Sequence, residues 1–105
     1  FLSTAMGAYL DRPNTEKHSE SGSGAGLTYG LSSMQGWRRN MEDAHVATTD
    51  IKSVAKKVNL EVEEEGICVF GVFDGHGGKE VAKFTQLKFL RELVKSKAFQ
   101  EARYR

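Results

Sequence analysis

Apolar positions change period along the chain, and each change predicts an element. Leu27, Tyr29 and Leu31 alternate with Thr28, Gly30 and Ser32, the period of a half-buried strand. Met34-Gln-Gly36 predicts a turn, and Ala44 to Thr49 a second strand. The stretch 50–66 is charged and reads mainly as a loop, although Val58, Leu60 and Val62 alternate and would extend part of it as a strand. Ile67 to Phe73 is an unbroken run of mostly β-branched and aromatic residues, which predicts a strand buried on both faces. It stops at Asp74-Gly-His-Gly-Gly78, where glycines open turn dihedrals that other residues resist. From about Lys79 to Lys97 the period becomes helical. Ala82, Leu87, Phe89, Leu90, Leu93 and Val94 then share an arc roughly 160° wide, with Glu80, Lys88, Arg91, Glu92 and Lys95 opposite. Val81 and Phe84 fall outside that arc and predict a second contact surface.

The first 26 residues read as a flexible arm. Asp11 to Asn14 suggests a turn, and Ser19 to Gly26 a Gly/Ser connector. Met6-Gly7 resembles a natural start, with 1–5 as a remnant ahead of it. Gly7 would then be a candidate N-myristoyl acceptor and the route to a membrane, although Asp11 stands where that motif wants Ser or Thr.

Composition narrows the function classes. The chain has 105 residues, a formal net charge of +1 and 39% hydrophobic residues, enough for one small domain. No apolar run approaches a membrane span. The single cysteine, Cys68, excludes an internal disulfide framework and a thiolate metal cluster, and it reads as a small core residue. Charge is too balanced to predict nucleic-acid binding, and none is expected. It is unevenly spread, however: residues 1–78 carry net -4 and residues 79–105 net +5. The basic segment reads as the solvated side of a helix, or as a surface for a membrane or acidic partner. Without a secretory signal, cytosol or nucleus is the expected location.

Three groups could carry chemistry: Gly36-Trp-Arg38, Met41-Glu-Asp43 and Asp74-Gly-His-Gly-Gly78. A carboxylate at the end of a buried strand, beside glycines that let a carbonyl approach a cation, suits hard ions such as Mg2+ or Mn2+. Asp-Gly alone is equally a common turn. Glu42 and Asp43 add carboxylates, but strand neighbours point to opposite faces, so one would lie near an ion and the other act through water. Arg38 can clamp an anion bidentately, or form a surface ion pair. His76 could act as a general acid, since imidazole is the side chain best suited to move protons at physiological pH. His18 and His45 read as solvated. The combination is far more specific than any member.

Tyr29 to Arg38, Met41-Glu-Asp-Ala-His45 and Val72-Phe-Asp-Gly-His-Gly-Gly78, in this order and spacing, resemble the metal-dependent type 2C (PPM) serine/threonine protein phosphatases. The Met6 to Leu10 start is similar as well. The resemblance implies an α/β (α+β) fold, this chain being the N-terminal portion of a four-layer α-β-β-α sandwich with antiparallel sheets. It also implies a hydrolase that uses a metal-activated water on phosphoserine or phosphothreonine proteins in signalling. Two Mn2+ or Mg2+ ions would be held by Asp74, the Gly75 carbonyl, Glu42 and Asp43. Arg38 would grip phosphate, and His76 would protonate the departing oxygen.

The family domain is more than twice this length and uses later aspartates, whereas Asp74 is the last aspartate here. Residues 27–105 are therefore expected to be an incomplete N-terminal part of the catalytic domain, inactive alone. The alternative is a non-catalytic phosphatase-like binding module completed by another chain.

Overall fold

A computed structural model describes residues 9–102. The Met6-Gly7 start and the remnant at 1–5 lie outside the described residues. The elements run β1 (Tyr9–Gly24), β2 (Leu27–Arg38), β3 (Asp43–Thr48), α1 (Ile51–Lys56), β4 (Val69–Asp74), α2 (Glu80–Lys95) and α3 (Lys97–Ala102). β1 pairs antiparallel with β2, and β3 with β4, giving two small sheets. The expected class holds: a mixed α/β chain with antiparallel strands, consistent with an N-terminal part of the type 2C fold.

The segment read as an arm is largely strand. Ala25 (φ 51°) and Gly26 (φ 78°) both take positive φ, the two-residue geometry that closes a hairpin with the correct twist. The Gly/Ser run before them is thereby paired in register, Ser23 with Thr28 and Gly22 with Tyr29. The turn expected at Met34-Gln-Gly36 does not reverse the chain. Gly36 takes φ +70° opposite Asn14, where the β1–β2 register shifts. The extra residues at this irregularity lie on β1, between Tyr9 and Lys17, so the bulge belongs to β1 and Gly36 stands opposite it.

Part of the charged stretch is helix. The Asp50 carboxylate accepts from the Ser53 N–H at 3.2 Å and the Ser53 hydroxyl at 2.6 Å, capping α1. Ile51, Val54, Ala55 and Val58 have the i, i+3, i+4, i+7 spacing of one helical face. Asn59 follows at φ 59°, a left-handed residue of the kind that ends helices. The chain from Leu60 to Cys68 is irregular, so Val58, Leu60 and Val62 extend no strand.

Ile51, Ala55, Val62 and Val94 form the main core cluster, supported by Leu90 and Phe99. Removing a side chain such as Ile51 from water contributes about 1.5–3 kcal/mol. The inward face of the β3–β4 pair, with Ala44 and Val46 buried, packs toward α2. Phe73 meets Phe89 there at a centroid distance of 5.3 Å. Gln86 Nε2 also donates to the His45 carbonyl at 2.8 Å, tying α2 to β3.

β4 is shorter and less covered than expected. Cys68 lies before it and is half-buried, and alternate residues face outward, Val72 being 76% exposed. Within the described residues, β3 is β4's one sheet neighbour, and α2 covers one face only. The long helix is also interrupted. Ser96 takes an extended ψ of 145°, its hydroxyl donates to the Leu93 carbonyl at 2.7 Å, and the same oxygen accepts from Phe99 N–H at 3.1 Å. One serine therefore ends α2 and starts α3. Leu87, expected on the inward arc, is 66% exposed, and Phe84 is 63% exposed. The radius of gyration is 17.6 Å, against about 13 Å for a compact domain of this length.

Candidate active site

The β3–β4 register places the two best candidate carboxylates together. Asp43 and Asp74 are direct cross-strand partners at the end of the pair. His45 with Val72 and Ala47 with Phe70 are partnered on the same outward face, because side chains alternate along each strand. Asp43 and Asp74 therefore stand on the face turned away from α2. Like charges directly opposite on a sheet repel.

Asp43 shows that strain in its ionisation. Its carboxyl is raised above the ordinary aspartate range, by loss of solvent first, then by the Asp74 charge and a hydrogen bond shared with Asp74. Glu42 adds to the rise, whereas the Arg38 guanidinium opposes it. Since Asp43 remains exposed, the opposed Asp74 charge is the contribution that a bound cation would reverse. Arg38 stands at the end of β2, exposed, with its carbonyl accepting from Gln35 Nε2 at 2.7 Å.

Glu42 and Asp43 part company, as neighbours entering a strand must. The Glu42 carbonyl accepts from Gly75 N–H at 3.2 Å, and its carboxylate Oε1 accepts from Gly78 N–H at 2.9 Å. Both ends of one residue thus hold the Asp74–Gly78 loop. Gly75 is close-packed beneath it: an added Cβ would meet the Glu42 carbonyl oxygen at 2.5 Å and the Ala82 Cβ at 3.0 Å. Gly77 (φ 75°) and Gly78 (φ 128°) carry the loop into α2 through dihedrals open chiefly to glycine. His76 sits exposed on this loop, two residues from Asp74.

The sequence-predicted residues are thus brought to one end of the β3–β4 pair: Asp43 and Asp74 face each other, Gly75 and His76 follow in the loop, and Arg38 acts electrostatically on Asp43. Among the described residues, no three His, Cys, Asp or Glu side chains converge as a metal-binding group. The Asp43–Asp74 pair is a hard-oxygen donor set whose like charge Arg38 offsets only in part, which fits a divalent cation such as Mg2+ or Mn2+.

Two contacts were not foreseen. The Glu42–Gly78 bond spans 36 positions, too far for any local spacing rule. His45, read as solvated, is half-buried, with Nε2 at 3.5 Å from Glu20 Oε1 on β1. A cleft of about 890 Å3 opens between the hairpin and the β3–β4 pair, with Tyr29, Val46 and Phe70 among its walls and Asp43 at its margin. A smaller one of about 260 Å3 touches Asp74, Gly75 and Ala82.

Fold and site together define an α/β protein with an acidic, glycine-bordered strand end suited to hard cations. The chain belongs to the protein phosphatase 2C family, whose family model matches residues 27–104. It is 42% identical over 99 residues to probable protein phosphatase 2C 4 of Paramecium tetraurelia, covering 94% of this chain and 29% of that protein. It is 49% identical over 94 residues to probable protein phosphatase 2C 58 of Oryza sativa subsp. japonica, covering 90% and 22%. To protein phosphatase 1B of Bos taurus it is 44% identical over 97 residues, covering 92% and 18%. The chain thus spans less than a third of the length of these relatives.

Proposed function

We propose that this chain supplies the phosphate-handling edge of a metal-dependent protein serine/threonine phosphatase. The observation that carries the reading is the direct pairing of Asp43 with Asp74 at the β3–β4 end, within the electrostatic reach of Arg38 on Asp43. Asp43, Asp74 and the Gly75 carbonyl would hold a pair of Mn2+ or Mg2+ ions. When bound, such ions activate water near neutral pH and neutralise charge in an in-line displacement. Arg38 binds and orients the phosphate through two parallel N–H donors. His76 delivers a proton to the departing serine or threonine oxygen, a help that matters most for poor leaving groups.

The activity belongs to a domain of the relatives' length. Exposure of Val72, Phe84 and Leu87 and the large radius of gyration support completion by further polypeptide. Residues 1–105 alone are expected to release no phosphate. The test is phosphate release from a phosphothreonine peptide by the full-length protein with Mn2+, then with chelator. Release that stops with chelator and in Asp74→Asn supports the reading. Release indifferent to both overturns it.

A further inference from the structure

We infer that Glu42 is a positioning residue which clamps the Asp74–Gly78 loop through Gly78, and that it serves cation binding as a hydrogen-bond acceptor and not as a charged ligand. This rests on the proposed metal site, because the loop is what presents Asp74 and Gly75. Three observations carry it. The Glu42 carboxylate accepts from Gly78 N–H at 2.9 Å while the same residue's carbonyl accepts from Gly75 N–H at 3.2 Å. One residue thereby brackets the loop at both ends. Gly77 and Gly78 take dihedrals that impose little torsional preference, so the loop needs an external restraint. Lastly, α2 begins after Lys79 with no side-chain cap of its own. The Gly78 amide lies just ahead of that first turn, where unsatisfied N–H groups favour a carboxylate.

The clamp and a charged-ligand role make different demands on the side chain. A clamp needs an acceptor oxygen at that reach, which glutamine keeps and alanine lacks. A charged ligand needs the negative charge, which both lose.

The experiment uses the 15N-labelled full-length protein as wild type, Glu42→Gln and Glu42→Ala. It reads Gly78 amide exchange, and Mn2+ affinity from the electron spin resonance of free Mn2+. Gly78 exchange is expected to stay near wild type in Glu42→Gln and to rise roughly tenfold or more in Glu42→Ala, the size of one charge-assisted hydrogen bond. Mn2+ affinity should follow the same order. Two results overturn the inference: Gly78 exchange unchanged in Glu42→Ala, or affinity lost equally in both variants while glutamine still protects Gly78. Should alanine unfold the chain, the glutamine variant alone decides, since protection and affinity must then be retained together. Failure of wild type to bind Mn2+ would overturn the metal reading and the clamp's stated purpose. Gly78 exchange would still report whether the clamp itself exists.

Discussion

Gly75→Ala is the substitution whose cost follows most directly from the geometry of the site. The new methyl carbon would sit 2.5 Å from the Glu42 carbonyl oxygen and 3.0 Å from Ala82 Cβ. Neither obstacle is a flexible side-chain tip, so the Asp74–Gly78 loop and the chain entering β3 must separate. That movement breaks the Gly75 N–H bond to Glu42 and disturbs the Glu42 bond to Gly78. Overpacking costs about 1–3 kcal/mol and a lost backbone hydrogen bond about 1 more, so a destabilisation of about 2–4 kcal/mol is expected. With a urea dependence of about 1–2 kcal/mol per molar for a chain this small, the unfolding midpoint should fall by more than about 1 M. Far-UV circular dichroism during urea titration measures it. Gly30→Ala is the control, because an added Cβ there meets nothing within 4 Å. It should leave stability within about 0.5 kcal/mol, as neutral surface changes do. A Gly75→Ala midpoint that coincides with the Gly30→Ala midpoint would refute the close-packing account of the loop.

Two further substitutions test the electrostatics. Because the Asp43 carboxyl is raised in the folded chain, protonation favours folding; its contribution is complete below the ordinary value and is lost as pH rises through the raised one. Asp43→Asn should therefore make the metal-free chain more stable at neutral pH, while weakening Mn2+ binding; urea titrations at pH 4 and 7 with and without Mn2+ measure both. Asp50 has the opposite sign, since its bonds from Ser53 hold the carboxyl below its ordinary value. Asp50→Ala should lower stability at neutral pH and shrink the loss seen in wild type as pH falls through Asp50's lowered value, read from acid titration of the helical signal.

Much of the site was legible before the structure because it lies in short, chemically distinctive strings. Asp74 at the end of an apolar run, glycines after it and Glu42-Asp43 before another strand suffice to put carboxylates at strand ends. Antiparallel pairing then brings them opposite each other. Apolar patterning predicts elements too, by alternation for β2, an unbroken run for β4 and a helical period for most of α2. It failed where glycine and charge were read by composition. The Gly/Ser run before Gly24 reads by composition as a connector, whereas the Ala25-Gly26 turn makes it a paired strand. Gly36 signals an unusual dihedral, but whether it reverses the chain or stands opposite a bulge depends on the partner strand. α1 was legible in principle, since Asp50 and Ser53 form a cap ahead of an Ile51, Val54, Ala55, Val58 stripe. The dense charge around it and the alternation of Val58, Leu60 and Val62 masked the longer period. Full burial of β4 was not decidable locally, because an apolar run does not say which faces will be covered.

The most direct test of the central claim is paramagnetic broadening of the chain's amide resonances by substoichiometric Mn2+. Amides of Asp43, Asp74 and Gly75 should broaden first, and Asp74→Asn should abolish the effect. Broadening confined to the Glu61 to Glu65 run, or unchanged by Asp74→Asn, would contradict a cation site at the paired strand ends.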